Sequence, residues 1–149
     1  EGILNYGAFS AGVGALAMGA TTYEWVIEHE LSGKDPSEWR WPYELPCWVF
    51  THRELTVVPD ADVRFASGSV GPVHPEMASA AGGTDLWVVG GGDLASQFAD
   101  AGLLDEVIVY VAPVTLGSGA PLLPRRLELQ LEETGRNGAF VVARYSVLR

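Results

Sequence analysis

Three short stretches hold residue types that could do chemistry together. The longest, "LWVVGGGDLASQF" (residues 86–98), ends an apolar run of β-formers on Gly90, Gly91 and Gly92. It passes at once into an amphipathic stretch that opens with Asp93 and Leu94. A helix N-terminus leaves backbone N–H groups unpaired and carries a partial positive charge, so it holds a phosphate well. Glycines there let a pyrophosphate approach the backbone with no Cβ in the way. The pattern is not the dinucleotide G-x-G-x-x-G, and alone it serves equally well as a tight structural corner.

A second stretch, "AMGATTYEW" (residues 17–25), repeats the logic: a strand, then Gly19, then Thr21 and Thr22 at a helix start. Alone it is an ordinary N-cap. The third, "VFTHRE" (residues 49–54), sets Thr51, His52 and Arg53 at the end of another strand. The planar fork of Arg53 suits a phosphate, although an exposed arginine is the simpler reading of that stretch by itself. Ligands of α/β sheets bind outside the carboxyl ends of strands, so one sheet edge could present all three stretches to one ligand. Two phosphate-compatible helix starts and a cationic loop suggest a dinucleotide with an extra phosphate.

The elements that must position these residues alternate along the chain. A short helix is expected over residues 6–13, a strand over 15–19 and a helix over 20–30, with Thr21 or Thr22 near its start. A loop rich in Pro and Trp follows, then strands over 47–53 and 63–67. Residues 72–83 predict a helix closing on Gly82 and Gly83. Next come a strand over 86–91, a helix over 93–102 and a strand over 105–114. "LELQLEET", the turn "GRNG" and "FVVARYSVL" predict a closing β-hairpin. The expected fold is α/β: a three-layer arrangement of a mixed β-sheet flanked by helices, with its antiparallel part at the C-terminal end.

The totals narrow the function classes. The 149 residues suit one domain with a proper core. Nine Lys and Arg against nineteen Asp and Glu give a formal charge of −10, which disfavours nucleic acid and anionic lipid surfaces. No apolar run reaches the length of about 20 residues that a membrane span needs, and no signal peptide opens the chain, so a cytoplasmic protein is expected. The single Cys47 lies in the apolar run "CWVF" and is read as a buried small hydrophobe. His29, His52 and His74 show no metal-ligand spacing, and no metal is expected. Trp39 and Trp41 suit packing or an interface as well as a pocket, and Asp105 and Glu106 suit surface contacts better than catalysis.

The words "AMGATTYEW", "CWVFTHRE", "LWVVGGGDLASQFADAGLLDEVIVYVAPVTLGSGAPLLP" and the C-terminal hairpin resemble, in order, the reductase domain of the bifunctional deaminase-reductase of riboflavin biosynthesis. That domain lies within the dihydrofolate reductase superfamily. The resemblance implies a dihydrofolate reductase-like fold that binds NADPH at the carboxyl ends of its strands and reduces a small-molecule substrate. By position, Gly19, Thr21 and Thr22 would support the cofactor's phosphates, and Thr51, His52 and Arg53 would lie at the adenosine 2′-phosphate. Gly90, Gly91 and Gly92, with Asp93 and Leu94, would wrap the pyrophosphate, and Val89 would lie beside the nicotinamide. A homodimer is also implied.

The departures define the alternatives. Many relatives carry a basic residue where this chain has Ala20. The family's first strand and substrate loop are not visible before Glu1, so the single domain is expected to lack its N-terminal strand in these 149 residues. A dihydrofolate reductase acting on a pterin needs a carboxyl group near Asn5, with Glu1 the one acid nearby, which weakens that reading. A third reading keeps the fold and the nucleotide but performs no turnover. Hydride transfer asks little of side chains, so no catalytic residue is assigned. "LGSG" (residues 116–119) is a turn that could border the substrate mouth.

Overall fold

The computed structural model describes every residue except Glu1 and Ser32. After a short helix α1 (Tyr6–Ser10), capped by the Asn5 side chain, the chain enters β1 (Val13–Gly19) and α2 (Ala20–Val26). The helical path of α2 continues through a π-turn over Ile27–Leu31. Then follow β2 (Cys47–Phe50), β3 (Val63–Ala66), α3 (Val70–Ala81), β4 (Asp85–Gly90) and α4 (Gly92–Asp100). The chain closes with β5 (Glu106–Val111), β6 (Leu129–Asn137) and β7 (Phe140–Val147).

Strands β1 to β4 form a four-stranded parallel sheet in the order β3-β2-β1-β4. The side-chain alternation of β1 splits the core between its two faces. Leu16 and Met18, with Val49 of β2, pack with Tyr23 of α2 and with Leu31. Ala15 and Ala17, with Trp48, pack under Val70, Met77 and Ala81 of α3 and Leu94 and Phe98 of α4. Helices thus cover both faces. A run such as "ALAM" is apolar throughout because a central parallel strand has no solvent side.

The last three strands form a separate antiparallel sheet, β5-β7-β6. The α/β layering is as expected, but the mixed sheet is divided into two ladders. β4 ends one ladder and β5 ends the other, and both line a cavity of about 730 Å³. Leu86, Trp87, Val88 and Val89 are therefore only half-buried, although their all-apolar sequence is that of a strand enclosed on both sides.

Several boundaries differ from expectation for local reasons. Strand β2 stops at Phe50, because Thr51 Oγ1 accepts from the Arg53 N–H at 3.0 Å and turns the chain. The first helix ends at Ser10, with Val13 already in β1. Helix α2 is N-capped by Gly19, so Thr21 and Thr22 lie inside its first turn. Residues 135–137 of "GRNG" continue β6, and the reversal falls on Gly138–Ala139, where Gly138 takes φ 59°. Gly135 belongs in the strand because Ile3 packs over it; an added Cβ would lie 2.6 Å from Ile3 Cδ1. The end of α3 is as expected, with Gly82 as a left-handed cap at φ 63°.

Candidate functional site

The strand order supplies the site. From β1 the chain steps outward to β2 and β3, then returns to the other side of β1 as β4. This reversal is a topological switch point, and the crevice outside it lies between the chains leaving β1 and β4. Gly19 is in register with Phe50, and Met18 with Gly90, so the carboxyl ends of β2, β1 and β4 lie side by side. The structure therefore brings together the three stretches singled out in the sequence, on the expected edge.

The glycines differ in what they face. A Cβ on Gly90 would meet Thr22 Oγ1 at 2.9 Å, and one on Gly92 would overlap the Leu122 carbonyl oxygen. Both are small because neighbouring protein is close. Gly91 has nothing within 4 Å of its Cβ position and is exposed in an extended conformation (φ −102°, ψ −165°), with a cis peptide joining it to Gly90. Packing explains two of the three glycines, while the third faces open space and lines the cavity between β4 and β5.

Gly91 is also the N-cap of α4, with no side-chain cap; the first backbone bond of this helix is Ala95 N–H to Gly91 C=O. The N–H groups of the preceding turn are left as orphan donors. Helix α2, starting beside it after Gly19, likewise has no side-chain cap. The Asp93 carboxylate accepts from Gln97 Nε2 at 3.3 Å, while Leu94 is buried in the core. The Leu94 side chain is therefore packing, not a group presented to a ligand. Val89 packs against the α2-side core and lines the cavity with Phe9, Trp87, Val107 and Leu122.

On the β2 side, Thr51 Oγ1 also donates to the Arg53 carbonyl at 3.2 Å, so its hydroxyl is spent on holding the turn. His52 and Arg53 are exposed. Arg53 Nη2 lies 2.7 Å from Glu24 Oε1, a bond that raises the arginine's pKa further. The sequence reading missed Gly68 and Ser69. They follow β3 on the same edge, with Gly68 at φ 83° and Ser69 as N-cap of α3. A Gly-Ser pair between a strand and a helix was the signal available. It also missed Leu122 and Leu123, which line the cavity, whereas residues 116–119 do not.

The remaining candidates settle into structural roles. The Asn5 side chain accepts from the Ala8 N–H at 2.9 Å as a helix cap. Glu1, the acid considered beside it, lies outside the described residues. Trp39 and Trp41 pack against the α2-side core, and Trp39 also lines a smaller cavity of about 420 Å³ with Glu24, Glu28 and Glu54. Asp105 pairs with Arg149 and Glu106 with Arg144 at the surface. Cys47 is buried, and burial, with Asp62 nearby, pushes its thiol up to about 12. Among the described residues no three His, Cys, Asp or Glu side chains converge on a metal position, and no helix is long and apolar enough to cross a membrane.

Known proteins share this architecture. The chain is 30% identical over 148 residues to the Bacillus subtilis (strain 168) protein YwjB, itself uncharacterized, covering 97% of this chain and 80% of YwjB. A solved Shewanella sp. PV-4 structure, provisionally named a riboflavin biosynthesis protein, superposes with a TM-score of 0.74 at 24% identity, covering 98% of this chain and 80% of that one. The Thermotoga maritima diaminohydroxyphosphoribosylaminopyrimidine deaminase/5-amino-6-(5-phosphoribosylamino)uracil reductase superposes with a TM-score of 0.58 at 16% identity; 97% of this chain spans 49% of that protein. These superpositions establish a shared fold. The RibD C-terminal domain family matches residues 42–138, and the chain belongs to that family.

Proposed function

We propose that this chain is an NADPH-dependent reductase resembling 5-amino-6-(5-phosphoribosylamino)uracil reductase, transferring hydride to a small-molecule substrate. The observation that carries the reading is that two uncapped helix starts and the Arg53 turn follow adjacent strand ends at the switch point, with Gly91 facing open space. In this reading the N–H groups at the start of α4, with Gly90, Gly91 and Gly92, hold the pyrophosphate, and Asp93 and the Leu94 backbone border the nicotinamide ribose. Gly19, Thr21 and Thr22 support the phosphates from α2. Thr51, His52 and Arg53 take the adenosine 2′-phosphate, and Val89 packs beside the nicotinamide. When bound, the nicotinamide supplies the hydride; the protein's part is to hold it, orient the substrate and exclude water.

Titration with NADPH and with NADH, followed by quenching of the five tryptophans, tests this. Micromolar binding of NADPH, weaker in Arg53→Ala, is the expected result. Binding of neither dinucleotide would leave the glycines as a structural corner and remove the enzyme reading.

Two further features belong to this proposal. The single domain completes its sheet when one extended apolar strand from outside these 149 residues enters the slot between β4 and β5, whose facing edges lack a partner among the described residues. Amide exchange at Leu86–Val89 that slows when such a strand is appended supports this; equal protection with and without it counts against it. Exposed Val111, Leu129, Leu131 and Val141, which alternate onto one face of the antiparallel sheet, favour a homodimer, which sedimentation equilibrium checks.

A further inference from the structure

We propose that Glu24 is a specificity-determining residue that competes with the adenosine 2′-phosphate for Arg53 and thereby narrows the preference for NADPH over NADH. The inference rests on the cofactor reading above and concerns how selective that site is. Glu24 Oε1 lies 2.7 Å from Arg53 Nη2, with the two side chains 50% and 59% exposed. Both ends of the pair are anchored. Glu24 projects from α2 between the buried residues Tyr23 and Val26, and the Tyr23 hydroxyl donates to the Thr56 carbonyl. Arg53 stands on the turn closed by Thr51 Oγ1. The pair therefore links a packed helix to a hydrogen-bonded turn.

A guanidinium binds phosphate through several N–H donors arranged in a fork, and one of these is taken by the Glu24 carboxylate. An incoming 2′-phosphate must displace or share with a carboxylate of its own sign. Glu28 and Glu54 border the same small cavity as Glu24, so the local field adds to the repulsion. Ala20, in the first turn of α2, offers no cation to offset it. NADH meets a different situation. A carboxylate accepts a hydrogen bond from a ribose 2′-hydroxyl, as in many NAD sites, so Glu24 opposes the phosphate while tolerating or favouring the hydroxyl.

The magnitude follows from exposure. At these exposed side chains water screens both the ion pair and the like-charge repulsion, so removing the charge of Glu24 should tighten NADPH only about three- to tenfold.

Calorimetric titration of the wild type, Glu24→Gln, Arg53→Ala and the double variant, each with NADPH, NADH and 2′-AMP, tests the inference. The expected result is three- to tenfold tighter NADPH and 2′-AMP in Glu24→Gln, NADH unchanged or weaker, and no such gain when Arg53 is absent. Wild type that binds NADPH with no change of the NADPH-to-NADH ratio in Glu24→Gln overturns the role of Glu24 and leaves the cofactor reading intact. An equal gain for both dinucleotides also overturns it, since the effect would then be non-specific charge. Binding of neither dinucleotide by any variant overturns both.

Discussion

Substituting the three glycines one at a time should separate those required by the fold from the one open to a ligand. Gly90→Ala places a methyl 2.9 Å from Thr22 Oγ1, closer than real Cβ contacts allow, with Thr22 Cγ2 in ordinary contact at 3.6 Å. Overpacking of this kind costs about 1–3 kcal/mol, which in a domain of this size lowers Tm by roughly 3–10 °C. Trimming the obstacle with Thr22→Ala should recover most of that loss. Gly92→Ala should also destabilise, because the obstacle is the Leu122 carbonyl oxygen, which cannot swing aside as a side chain can.

Gly91→Ala should behave differently. Its methyl enters open space at φ −102°, so Tm should move by less than about 2 °C. A hydrogen bond to a charged group is worth about 1.5–3 kcal/mol, so a methyl that holds a pyrophosphate off the α4 N-terminus should weaken NADPH about 10- to 100-fold. Scanning calorimetry gives the stabilities, and fluorescence titration gives the affinities. The reasoning is refuted if Gly91→Ala destabilises as much as Gly90→Ala, or if it leaves NADPH affinity unchanged in a protein that binds it.

Two other expectations concern groups away from the crevice. The buried Cys47 thiol keeps its proton to about pH 12, whereas an unfolded chain releases it near pH 9. Between those values the unfolded state binds fewer protons, so stability falls as pH rises, by up to about 1.4 kcal/mol per unit for this group. Tyr23 and Tyr43, also raised by burial, act in the same sense, so the alkaline slope of Tm in Cys47→Ala should shrink without vanishing; an unchanged slope contradicts the assignment. Asn5→Ala should cost about 1 kcal/mol in denaturant unfolding, the value of a helix cap, and leave dinucleotide affinity as it was. A large loss of cofactor binding would show that Asn5 does more than cap α1.

Much of the architecture was legible in local sequence because local rules govern it. The apolar runs at residues 15–19, 47–50 and 86–90 are strands, and Gly82 ends α3. The three stretches with phosphate-compatible chemistry were visible because each strand-to-helix junction carries its own signature. Their meeting was foreseeable only as a topological expectation, and strand order made it real by setting β1 between β2 and β4. Gly68 and Ser69 went unnoticed because a Gly-Ser junction is common, and only the pairing of β3 with β2 carries it to the same edge.

Local sequence sets the alternation of strands and helices, the formal charge of −10, and the residue types able to hold a phosphate. Tertiary structure alone decided what each glycine is for. The run Gly90-Gly91-Gly92 is uniform in sequence, yet one residue faces Thr22, one faces Leu122 and one faces open space. It also decided that Leu94 turns into the core, that Thr51 spends its hydroxyl on its own turn, and that Arg53 meets Glu24 across 29 residues of chain. Contacts between residues distant in sequence depend on how the elements pack, and no local pattern encodes them.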